Sequence, residues 1–301
     1  MIAIYHYNKV KNLKYVIAII QSASHPALDS ARDGFIEALS YHFSDQNIEF
    51  LLYNSQGSLA NAHALASQLI HNNNINMFYT IGSSVTQAIS QLEKRRPIIF
   101  AAVSDAQAIG IEDGKNVTGI SDMIAPEIPL YLINSINKDI KKVGLFYSMS
   151  TLNQRECAKI KQILENNHKE VINIIVNNES EIEAILEANL YNIDALLSPC
   201  DNIIAMAMPF IAKKMIMYKK PYFVCFNEAI KGGALGACGA DYYESGKENG
   251  YNAVKVIKKE IAISRIPIKI SDCNSIYLNQ DAAKSIDLDI KLITNNNIVI
   301  I

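Results

Sequence analysis

The sequence predicts an α/β protein made of two doubly wound, mostly parallel sheets, one in each of two lobes joined by a hinge. Three observations carry this. The chain has 301 residues, more than one compact core usually holds and enough for two lobes of roughly 120–150 residues each. An apolar β-type run, a turn-rich loop and a helical pattern recur in that order, which is the signature of βα units. Two glycine-rich breaks, at 110–122 and 231–241, interrupt the recurrence.

The first strand is expected at 16–20, and Pro26 beyond it suits the opening turn of a helix on which Leu28, Ala31, Phe35 and Leu39 recur at helical spacing. A second strand at 48–52 leads to a helix carrying Leu59, Ala62, Ala66, Leu69 and Ile70. Strands at 77–81 and 98–103 complete the first series. Gly110, Gly114 and Gly119 then surround Asn116 and the short run 117–120, which reads as a hinge. The second series has strands at 143–147, 171–176, 195–198 and 222–226. Their near-continuous hydrophobicity suits strands covered by helices on both faces. Gly232, Gly233, Gly236 and Gly239 mark the return crossing, and a long helical stretch, 242–261, follows. The expected lobes are 15–120 with 240–268, and 121–239 with 269–292. The tail 294–301 receives no role.

Composition excludes several classes of function. Half the residues are apolar and 19% are charged, so there is material for buried sheets and no sign of disorder. Lys plus Arg number 28 against 30 Asp plus Glu, a balance with no long-range field to hold a nucleic acid. No apolar run reaches the ~18 residues of a membrane span. The five cysteines form no Cys-x-x-Cys pair, so neither a zinc site nor a redox dithiol is indicated, and no metal or cofactor is expected. The opening apolar stretch is too short for the core of an export signal, so none is expected in the chain as it stands.

In open parallel sheets, ligands bind beyond the carboxyl ends of the strands. The candidate residues are therefore those that follow each strand. They are His25; the donor-rich turn Gly82, Ser83 and Ser84; and Ser104 with Asp105. The hinge contributes Ser121 and Asp122, and the return crossing Asp241. In the second lobe the same positions are Ser148 and Asn153, then Asp201 and Asn202, then Asn227. Carboxylates and small hydroxyls outnumber basic residues here, which favours a ligand with a cationic group. Ser83, Ser104 and Asp201 could equally be helix caps. No Gly-x-Ser-x-Gly elbow, phosphate-binding loop or His-Glu-x-x-His helix is present, so the chain reads as a binding protein rather than an enzyme.

The run Ile17-Ala-Ile-Ile-Gln-Ser-Ala-Ser-His-Pro-Ala-Leu-Asp-Ser-Ala-Arg-Asp-Gly-Phe35 resembles the opening of the ABC transporter substrate-binding proteins that include tryptophan- and tyrosine-binding lipoproteins. Pro97-Ile-Ile-Phe-Ala-Ala-Val-Ser-Asp105, Asn116-Val-Thr-Gly-Ile-Ser-Asp122, Pro199-Cys-Asp-Asn202 and the segment 232–246 are similar to further signatures of that group, in its order. The resemblance spans residues 15–292. It implies a type I periplasmic-binding-protein fold that closes on its ligand as a hinged clamp. It also implies that Gly82, Ser83 and Ser84 receive an α-carboxylate, and that Asp105, Asp122 or Asp201 holds an α-ammonium. The implied role is the solute receptor of an ABC importer for an amino acid, with an aromatic one the expected ligand, partnered by a permease and its ATPase. It would act as a monomer in the periplasm or anchored outside the membrane. The alternative is a sensory or regulatory ligand-binding domain of the same fold.

Overall fold

The computed structural model describes residues 14–43, 47–149, 151–271, 276–290 and 298–301, the side chains of 151–153 and 228 excepted. Asn153 as a ligand contact, Cys273 and the tail residues 294–297 therefore lie outside the described residues.

The first lobe runs β1 (Tyr15–Gln21), α1 (Pro26–His42), β2 (Ile48–Asn54), α2 (Leu59–Leu69), β3 (Ile75–Ile81), α3 (Ser83–Leu92), β4 (Ile98–Ala101) and β5 (Val117–Ser121). The chain crosses over and continues as α4 (Glu127–Ile136), β6 (Lys142–Ser148), α5 (Thr151–Asn166), β7 (Glu170–Val176), α6 (Ile182–Asn189), β8 (Ala195–Ser198), α7 (Asn202–Met217), β9 (Tyr222–Val224) and β10 (Gly236–Cys238). It then returns through α8 (Tyr242–Ile257) and β11 (Lys269–Ile270), and finishes with β12 (Ile276–Leu278), α9 (Gln280–Ser285) and β13 (Ile298–Ile300). Among the described residues no helix is long and apolar enough to cross a membrane.

The two sheets have the orders β11-β5-β4-β3-β1-β2 and β13-β12-β10-β9-β8-β6-β7. All pairings in the first are parallel, and in the second only β10 with β12 is antiparallel. Each lobe thus winds outward in both directions from its first strand, the doubly wound α/β class that the βα recurrence predicts. The wall between β1 and β3 in one lobe, and between β6 and β8 in the other, is where the strand order reverses. Crevices that hold ligands form there.

Three stretches depart from the sequence reading. The supposed hinge run 117–120 is the fully buried strand β5, so the crossing starts only after Ser121. Lys269 and Ile270, expected with the second lobe, pair with Ile120 and Ser121 and extend the first sheet. The tail supplies β13, which pairs in parallel with β12 at the edge of the second sheet.

Helix α8 comes from the far end of the chain and packs on α1. Gly34, Gly246 and Gly250 let the two backbones touch, because a Cβ on Gly246 would lie 2.2 Å from the Ala31 carbonyl oxygen. Under this contact Phe35 stacks on Tyr79, ring centroids 3.8 Å apart, and the Tyr79 hydroxyl donates to the Ala31 carbonyl at 3.1 Å. One apolar cluster runs without a break from these residues to Phe146, Leu196, Met208 and Phe226 of the second lobe. The lobes are in contact.

Candidate functional site: the interlobe cleft

Between the two strand-order reversals lies a cleft of about 580 Å³, within the range of small-molecule sites. Of the residues expected there, His25, Ser83, Ser84, Ser104, Asp105, Asp122, Ser148, Asp201 and Asn202 line it.

On the first-lobe side, Pro26 occupies the opening turn of α1 and leaves His25 as an extended N-cap, 7% exposed. Its Nε2 lies 3.1 Å from Asn202 Oδ1, while Asn202 Nδ2 donates to Ser22 Oγ at 3.1 Å. Because the Asn202 oxygen can only accept, the neutral imidazole carries its proton on Nε2. Burial lowers the pKa of His25, opposed by the bond to Asn202 and by Asp29 and Asp201. Asn202 is thus a clasp between the lobes. Asn202→Ala removes both bonds, about 1–3 kcal/mol of contact, and is expected to raise the radius of gyration measured by small-angle scattering. An unchanged scattering curve would show that the clasp does not hold the lobes together.

The loop after β3 turns at Gly82, φ +105°, where a Cβ would meet the Ser22 hydroxyl at 2.1 Å. α3 starts there with no side-chain cap, so first-turn N–H groups beside Ser83 and Ser84 remain open to an anion. Beyond β4, Ala102 holds φ +55° on the cleft wall. A left-handed alanine costs about 1–2 kcal/mol, which the surrounding structure must offset.

Asp122 stands on the crossing between the lobes, 6% exposed. One of its oxygens accepts a 2.5 Å bond from the hydroxyl of Tyr242, the first residue of α8, so the outward and return crossings are tied together. The other, Oδ1, is buried without a hydrogen bond of normal geometry, although the Ser104 hydroxyl lies close. Burial pushes the Asp122 carboxyl up, and the Tyr242 and Ser104 hydroxyls work against that rise.

On the second-lobe side, both oxygens of Asp201 are engaged. Oδ2 accepts from the Ser148 N–H and hydroxyl at 2.6 and 2.7 Å, and Oδ1 accepts from the N–H groups of Ile203 and Ile204. Asp201 lines the cleft chiefly as the cap of α7 that fastens β6 to it. The Phe226 ring, 4% exposed, lies 6.5 Å from that of His25 and gives this wall an aromatic face.

Four expected residues stand off the cleft. Asp241 caps α8 by accepting from the Glu244 N–H at 3.0 Å. Asn227 donates to the Gly239 carbonyl at 3.1 Å. Ser121 donates to the Ser104 carbonyl and accepts from the Met123 N–H. Gly82 shapes the turn and leaves the lining to Ser83 and Ser84. Asp241 and Ser121 spend their side-chain oxygens, and Asn227 its amide nitrogen, on holding the chain beside the cleft.

Sequence reasoning missed Arg155, Glu156 and Lys159, which line the cleft from the second turn of α5 rather than from a loop. Burial pushes the Glu156 carboxyl up to about 8, reinforced by Asp122 and Asp201 and opposed by Lys159. It also missed Phe226 as a lining group, whereas Tyr242 on the return crossing and the thiol of Cys200 after β8 line the cleft from positions that follow a strand. Cys200 donates to the Cys225 carbonyl at 2.9 Å, and burial holds it well above the ordinary thiol range, so it is no thiolate nucleophile.

An anion-receptive turn, buried carboxylates and an apolar wall meet in one interlobe cleft. Residues 16–298 match the family described as ABC transporter substrate binding protein. A tyrosine-binding protein of Clostridioides difficile (strain R20291) is 30% identical over 289 residues, covering 93% of this chain and 83% of that protein. The structure of an ABC domain in complex with L-Trp from Streptococcus pneumonia superposes with a TM-score of 0.84 at 24% identity, covering 94% of this chain and 100% of that one. A ligand-free, open structure of a substrate binding protein with adhesive properties from Clostridium difficile gives only 0.71 at 27% identity, covering 95% and 99%. The chain belongs to the ABC transporter substrate-binding protein family.

Proposed function

We propose that this protein is the extracytoplasmic receptor of an ABC importer and that it takes an aromatic amino acid into the interlobe cleft. The observation that carries this is the meeting, around one cleft of about 580 Å³, of the open α3 turn at Ser83–Ser84, the carboxylates and the Phe226 ring of the second lobe. A ligand carboxylate placed at the α3 turn meets N–H groups and the positive end of the helix. Its ammonium then faces Asp105 and Asp122, and its side chain lies along the apolar wall. The tyrosine-binding relative and the L-Trp complex support the same class of ligand.

The receptor performs no chemistry. Ligand bridging both lobes favours the closed arrangement, and the closed form is the one a permease and its ATPase would read. Titration calorimetry of ligand-stripped protein against the twenty amino acids tests the reading. Micromolar or tighter binding of tyrosine, tryptophan or phenylalanine is expected; silence across all twenty would discard the amino-acid assignment.

A further inference from the structure

We propose that Glu156 and Asp122 together seat the ligand's ammonium group, and that the ligand takes this seat by displacing a proton from Glu156 to solvent. The inference rests on the amino-acid reading and specifies the group and the exchange within it.

Glu156 projects from α5 into the cleft, half-buried, and among the described residues it makes no hydrogen bond or ion pair. Asp122 lines the same cleft, and its Oδ1 is buried without a hydrogen bond of normal geometry, the Ser104 hydroxyl lying close. Asp201 stands near, but its oxygens already accept from Ser148 and from the first turn of α7. The other groups that act on or adjoin Glu156 are Arg155, Cys157 and Lys159 on its own helix and the thiols of Cys200 and Cys225. Burial pushes the thiols of Cys157 and Cys200 up, and the hydrogen bond with Cys238, with burial behind it, pushes up that of Cys225, so all three stay neutral. Arg155 and Lys159 are exposed.

Two carboxyls sharing a half-dry site cannot both ionise cheaply, so the empty cleft keeps a proton there. With its carboxyl pushed up to about 8, Glu156 is mostly neutral at pH 7. A cation beside it reverses that preference and the proton leaves, while the ammonium keeps all of its own. The ammonium N–H donors then meet the Glu156 carboxylate and Asp122 Oδ1.

The test is calorimetry with L-tyrosine in phosphate and in Tris, whose ionisation heats differ. At pH 7 the wild type is expected to release close to one proton per tyrosine bound, falling by more than half at pH 8.5, where Glu156 is already largely ionised. Glu156→Gln should abolish the release and weaken binding at pH 8.5 by roughly 10- to 100-fold. Tight binding by the wild type without proton release would overturn the proposal, as would undiminished release from Glu156→Gln. If tyrosine, tryptophan and phenylalanine are all silent, the aromatic amino-acid reading falls. The seat is then read with 2-phenylethylamine, which has an ammonium and no carboxylate. Proton-linked binding that Glu156→Gln abolishes would sustain the seat, and no binding or no proton release would remove it.

Discussion

Asp122→Ala is expected to weaken amino-acid binding by about 2–4 kcal/mol, roughly 30- to 1000-fold, while leaving the fold intact. The loss combines a charge-assisted contact to the ligand with the loss of the tie to Tyr242, whose hydroxyl would keep only the Cys200 sulfur at 3.6 Å. Stability should move differently. Burial raises the Asp122 pKa in the folded protein, so its contribution is present below the unfolded-state value near 4 and is lost as pH rises through the folded one. At neutral pH the ionised carboxylate is therefore a cost, and Asp122→Asn should melt at or above the wild-type temperature. Calorimetry and thermal denaturation of the two variants check both halves. Unchanged affinity in Asp122→Ala would take this residue out of the site.

Gly246→Ala should destabilise the protein by about 2–4 kcal/mol, with no change in any group that lines the cleft. The added methyl would sit 2.2 Å from the Ala31 carbonyl oxygen and 3.1 Å from Ala31 Cα, backbone atoms that cannot swing aside. Relief requires separating α1 from α8. That would disturb the backbone of Ala31, whose carbonyl accepts from Tyr79, and loosen the Phe35–Tyr79 stack beneath it. Urea denaturation should show the midpoint fall, and a drop of less than about 0.5 kcal/mol would mean the helices already have room.

The strands with dense apolar runs were legible in the sequence because parallel strands buried on both faces need no alternation. β5 was not, since Val-Thr-Gly-Ile-Ser mixes small and polar residues that read as loop. It becomes a strand because Gly119 lets the Phe100 carbonyl and ring approach it. β11 is two exposed residues, too short for any pattern. The cleft was legible wherever a lining residue directly follows a strand, as at His25, Ser83 and Asp201. Glu156 sits inside a helix, and its only signal was the helical spacing that puts it beside Ile160 and next to the buried Cys157. Asp241 and Asn227 carry the same local pattern as the lining residues, and only the loop contacts they make separate the two roles.

The pairing of α1 with α8 also sets an order on synthesis. Helix α1 emerges early from the ribosome, yet the surface that covers Ala31, Phe35 and Ala38 is not made until residues 242–257 appear. At 5–20 residues per second the 200 residues between His42 and Tyr242 keep that face of α1 uncovered for roughly 10–40 s. The intervening segment, β6 to β10, is continuous and can fold during the wait. The lobe that begins the chain is thus completed only after strands β6 to β10 of the other lobe have been made, and a ribosome stalled anywhere before Tyr242 leaves an apolar helix face for chaperones to shelter.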